Sequence, residues 1–197
     1  LGGVIPEKLP QYTHPLNTVM YKQFRPDESQ TSGRMRYEIS NNIIEKVKQL
    51  KFKKEPHIGL DETAYPPVCL DQNAHYNTGH AIKDQIDWSW TSIFVPDNWI
   101  DVGLAFDKSD PGYIIPMHRD HFKNYCDRFG HARHNVKRRL VFLEGWKDGH
   151  YFQLEDKVYH HWSSGDWAEW SSEQPHMGAN VGSQPRYTLQ ITGVPNE

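Results

Sequence analysis

A histidine and an aspartate, His118 and Asp120, close the apolar run "YIIPMH". In an extended strand, side chains two apart share a face, so the imidazole and the carboxylate converge while Arg119 points away. Such a pair suits a divalent metal, but it is also what a surface ion pair looks like, so a third ligand is required. Of the twelve histidines, His176 is favoured, because it follows the aromatic strand "DWAEW" and stands ten residues before Arg186. His160 and His161, in "KVYHHW", are the alternatives, and His121 reads as a rim residue. Two imidazoles and one carboxylate on one side of a metal leave three positions open, a donor set suited to iron(II). The last alternating segment, "RYTLQITG", sets Tyr187, Leu189 and Ile191 on one face and Thr188, Gln190 and Thr192 on the other. Arg186 and Thr188 share the polar face. An inward guanidinium beside a hydroxyl is costly unless a carboxylate binds there.

The elements that must position these residues are mostly strands. Aromatics are plentiful, with seven Trp and ten Tyr, and Gly and Pro recur at short intervals after about residue 95. Strands are expected at "WIDVGLAF", "GYIIPMH", "VKRRLVFLEG", "HYFQLE", "KVYHHW", "DWAEW" and "PRYTLQITG". "GANVGSQP" reads as a loop, and Trp162, Trp167 and Trp170 read as core. One clean helical pattern lies earlier, over residues 40–50, where Ile43, Ile44, Val47 and Leu50 recur on one side. Ser40 is a candidate cap and Glu45 is expected in the first turn. Residues 1–39 read as an extended arm with a strand near "NTVMYKQF". The expectation is a mainly β single domain over residues 1–197. Residues 1–95 would supply an arm and supporting helices, and residues 96–197 a double-stranded β-helix, or jelly roll, of cupin-like form.

The order His-x-Asp, a gap of about fifty residues, His, then Arg-x-Thr resembles the Fe(II)/2-oxoglutarate-dependent oxygenases. The wording "PGYIIPMHRD", "RRLVFLEG" and "GDWAEW…PHMGANVG…RYTLQITG" looks like the aspartyl/asparaginyl β-hydroxylase and cis-proline hydroxylase branch, over residues 111–193. The resemblance implies iron(II) on His118, Asp120 and His176, and 2-oxoglutarate as co-substrate. Arg186 and Thr188 would hold its far carboxylate, with Arg139 and Asn180 nearby and Tyr113 or Tyr151 as possible hydroxyl donors. That branch carries Arg-x-His on the strand after the His-x-Asp. Here Arg138 or Arg139 is kept, but Val141 or Phe142 stands where the His would be. The activity implied is hydroxylation, since related halogenases have Gly or Ala at the position of Asp120.

Bulk properties narrow the field. A net charge of −3 gives no case for nucleic-acid or membrane-surface binding, and the basic run "HARHNVKRR" reads as a loop entering a strand. No apolar stretch approaches the roughly 20 residues a bilayer requires. Cys69 and Cys126 form no CxxC pair, which favours a reducing compartment. A cytoplasmic protein is expected, with the possibility left open of a further piece before Leu1. The expected partner is a small-molecule or peptidyl substrate; the sequence sets neither its identity nor an oligomeric state. The rival readings are a metal-binding cupin without a keto acid and a catalytically inactive binding module.

Overall fold

The alternation in the last strand organises the molecule. In the computed structural model, which describes residues 32–35, 39–53, 78–81, 91 and 93–196, this strand lies centrally in a large antiparallel sheet. Chain order is β1 (Ser32–Arg34), α1 (Asn41–Gln49), β2 (Phe52–Lys53), β3 (Thr78–Ala81), β4 (Trp99–Ser109), β5 (Tyr113–His118) and α2 (Lys123–Phe129). There follow β6 (Lys137–Phe142), β7 (His150–Leu154), β8 (Lys157–Tyr159), β9 (Asp166–Ser171), β10 (His176–Asn180) and β11 (Arg186–Pro195). The expected strand at "NTVMYKQF" lies outside the described residues.

The large sheet has strand order β1-β9-β6-β11-β4-β3-β2 and the smaller one β5-β10-β7-β8. From β4 onward the chain crosses between sheets at nearly every connection; only β7 and β8 are consecutive in one sheet. Four strands of each sheet thus form a double-stranded β-helix, the jelly roll expected from the sequence.

Each face of the large sheet has its own core. On the outer face Phe106, Val141, Trp167, Leu189 and Ile191 pack with Ile44 and Val47 of α1. Ser40 caps that helix, accepting from the Ile43 amide. Glu45 falls beyond the first turn and pairs instead with Lys48 at 3.1 Å. Between the sheets Leu140, Phe142, Ala168 and Trp170 meet Phe152 and Leu154 of the small sheet, with Trp162 stacked on Phe142 at 4.0 Å.

Two elements at the site depart from expectation. β10 is a strand, not the start of a loop, although Gly178, Ala179 and Asn180 have low strand propensity. It is held by pairing on both sides, to β5 and β7. The second departure is α2, a short helix that follows the His-x-Asp segment and had no clear periodicity.

Candidate metal centre

His118 ends β5 and His176 begins β10, directly opposite one another in register. Between Ile115 and His118 the first strand advances three residues while its partner advances two, from Gly178 to His176. This bulge turns His118 onto the inner face of Ile115, where simple alternation would have sent it outward. Proline116, which cannot donate to a ladder, sits in the bulge. Asp120 is two residues beyond the strand end, so the strand-alternation argument holds for neither residue as first framed. The bulge and the loop bring them together instead.

All three side chains are buried, and their ligand atoms lie within 4.8 Å of one another. Both imidazoles are turned the same way. Nδ1 of His118 donates to the Pro116 carbonyl at 2.8 Å and Nδ1 of His176 to the Gln174 carbonyl at 3.2 Å. A carbonyl only accepts, so the proton is on Nδ1 and the Nε2 lone pair is left for a cation. Burial, only partly countered by Asp120, presses His176 down to about 4, so it is neutral at physiological pH. For Asp120 burial favours the neutral acid, but the Arg138 guanidinium, the two imidazoles and the Trp170 N–H outweigh it and hold the carboxyl at about 2. A neutral His176, the buried imidazole of His118 and an ionised carboxylate, facing one another, fit a divalent transition metal.

Arg186 lies farther inside, on the same inner face. Its Nη1 donates to the Tyr151 carbonyl at 2.7 Å and the Ala179 carbonyl at 3.2 Å. Its Nε is buried without a hydrogen-bond partner. Among the described residues no carboxylate forms an ion pair with it; Asp107 acts on it only at longer range. The guanidinium passes over Gly178, where a Cβ would stand 3.3 Å from Nη2. Thr188 is buried two residues on, and the Tyr113 ring lies 5.7 Å from the guanidinium.

The other expected site residues divide. Arg139 is not in this space: it is on the outer face, held by Glu169 at 2.9 and 2.7 Å and stacked 4.0 Å over Trp167. Its neighbour Arg138 points inward to Asp120 at 3.0 Å. Asn180 is committed to closing loops, donating to the Ser109 and Gln184 carbonyls and accepting from the Gly182 amide. Tyr113 faces the interior beside Arg186, whereas Tyr151 donates to Gln153. His121 is at the rim, against Arg133, and His161 lies tilted against Trp146 with His160 edge-on to His161, so neither belongs to the three-residue centre. Trp170, read as core, also donates from Nε1 to Asp120 Oδ2 at 2.8 Å. No local pattern marks that role; it follows from the pairing of β9 with β6.

No protein-family model matches the chain, and no curated protein matches it. Among solved structures it is similar to a sugar phosphate isomerase from a cupin superfamily of Silicibacter pomeroyi, at 9% identity over 75% of this chain and 73% of that one, TM-score 0.44. A predicted oxalate decarboxylase from Thermotoga maritima matches at 14% identity over 59% and 78%, TM-score 0.36. KdgF from Halomonas sp. matches at 12% over 49% and 72%, TM-score 0.35. None of these three is named as a 2-oxoglutarate oxygenase. The jelly roll rests on the strand order, and the metal centre on its donor geometry.

Proposed function

We propose that this chain is an Fe(II)- and 2-oxoglutarate-dependent dioxygenase that hydroxylates an amino-acid-like or peptidyl substrate. The observation that carries the reading is Arg186, a buried cation on the inner face of the metal centre whose Nε–Nη2 edge is open. That edge is the fork that matches a carboxylate bidentately. Asp120 is already paired with Arg138 and Asp107 acts on Arg186 only at longer range, so a divalent ion and Arg186 together place positive charge in the interior that these carboxylates offset only in part. Buried charge of that size calls for an anion. A dicarboxylate with one end at the metal and the other at Arg186 meets both. Gly178, beneath the guanidinium, is two strand residues from His176, roughly 7 Å, a span that a five-carbon diacid covers.

The 2-oxo acid end of 2-oxoglutarate has the two oxygens needed to occupy two of the three open positions. Iron(II), when bound, supplies the dioxygen chemistry that side chains lack. His118 and His176 present their Nε2 atoms, Asp120 brings one negative charge, and Arg186 with Thr188 aligns the far carboxylate. Phe152 and Trp170 stand beside His176 and keep water from its ring. The overall conversion balances: 2-oxoglutarate, O2 and a substrate C–H give succinate, CO2 and C–OH.

The test has two arms. Calorimetry on the iron(II) protein under argon should show 2-oxoglutarate binding far more tightly than pyruvate, which lacks the second carboxylate. Aerobic screening of amino acids and peptides should then find substrate-stimulated succinate release and a product heavier by one oxygen. Metal binding without any preference for the dicarboxylate would replace this reading by a metal-binding cupin that uses no keto acid.

A further inference from the structure

Asp120 is the ligand with the least support from its own segment, since it stands in a loop where β5 has already ended. The next turn is strained: Phe122 has φ of 50°, the left-handed region that an aromatic residue rarely adopts. Something outside the loop must hold the carboxylate, and the opposite sheet supplies it. Arg138 of β6 and Trp170 of β9 are register partners, so their side chains stand together. Both reach the same atom, with Arg138 Nη1 at 3.0 Å and Trp170 Nε1 at 2.8 Å from Asp120 Oδ2. Arg138 is itself fixed, donating from Nε to Thr192 Oγ1 at 3.1 Å and lying 5.0 Å over the Phe122 ring.

Oδ2 accepts from both donors, and it is also the oxygen that stands 3.6 Å from Nε2 of His176. We infer that Arg138 and Trp170 are positioning residues that fix the Asp120 carboxylate against the two imidazoles, so that it is already in place for a metal. Arg138 thus stands where it orients a ligand of the metal, and it makes no contact that would require a keto acid.

The inference rests on the metal reading of the site but is independent of 2-oxoglutarate. Cobalt(II) affinity by chelator competition, and the visible spectrum of the cobalt protein, would be measured for the full chain and for Trp170→Phe, Arg138→Gln and Arg138→Lys. Trp170→Phe keeps the ring and removes the donor, so its melting temperature serves as a check on folding. Affinity is expected to fall 10- to 100-fold in Trp170→Phe and Arg138→Gln, with a changed cobalt spectrum and partial recovery in Arg138→Lys. Folded variants with unchanged affinity and spectrum would overturn the inference while leaving the metal centre intact. No cobalt binding by the unaltered chain would overturn the metal reading itself.

Discussion

The two faces of the large sheet treat their arginines in opposite ways. On the outer face Arg139 is saturated, with Glu169 on its fork and Trp167 and Trp99 against its plane. On the inner face Arg186 is more enclosed, yet half of its fork is open. Arg138 sits between these cases: it faces inward and is paired, but its partner is a metal-ligand candidate. A closed ion pair ties two strands together, whereas the open buried cation is the feature on which the proposed co-substrate site rests. The comparison teaches that burial and charge alone do not separate these arginines; the state of the hydrogen-bond fork does.

The sharpest way to break this contrast is to remove each arginine in turn. Arg186→Ala should weaken 2-oxoglutarate binding by on the order of 2 to 5 kcal/mol while leaving metal affinity nearly unchanged. Arg139→Ala should do the reverse, leaving the co-substrate titration as it was and lowering unfolding free energy by about 2 kcal/mol. That figure is below the value for a fully buried pair, because Lys137 also reaches Glu169, at 3.4 Å. Calorimetric titration and urea unfolding of both variants read the two effects. Equal effects of the two substitutions on co-substrate binding would erase the distinction.

Acid probes the inner face alone. The unfolded His176 takes up its proton near 6.5, whereas the folded imidazole does so only near 4. Between these values the unfolded chain holds more protons, so the contribution is complete above pH 6.5 and is lost as pH falls towards 4. The metal-free protein should lose on the order of 3 kcal/mol across that window, and His176→Gln should flatten the slope. Urea unfolding at pH 7.5 and 4.5 checks both.

The outer face should answer to packing only. Val47 is completely buried between α1 and the sheet, and Val47→Ala should cost about 2 kcal/mol of stability. Metal affinity in that variant should stay within twofold of the unaltered chain, measured by the same chelator competition.

Much of the site was legible because it depends on short-range spacing. The His-x-Asp pair, the distal His176 and the Arg-x-Thr pair all announce themselves by residue type, and the two-faced alternation of residues 187–192 foretold which side of β11 would be polar. The strand succession after residue 95 was likewise readable from aromatic runs separated by Gly and Pro. β10 was not, since its residues do not favour a strand and only pairing on both edges makes it one.

By itself, then, the sequence determined the chemistry available to this protein: the donor set, the inward guanidinium and the β-rich architecture around them. Tertiary structure alone decided how that chemistry is aimed. Whether Arg138 or Arg139 faces the centre depends on the register of β6 against β9 and β11, because one residue of slip exchanges the two faces. His118 points inward because of a bulge, and Asp120 is held by donors from two strands of the opposite sheet, 18 and 50 residues further along the chain. Local propensity carries no record of such pairings; they exist only once the two sheets have closed on each other.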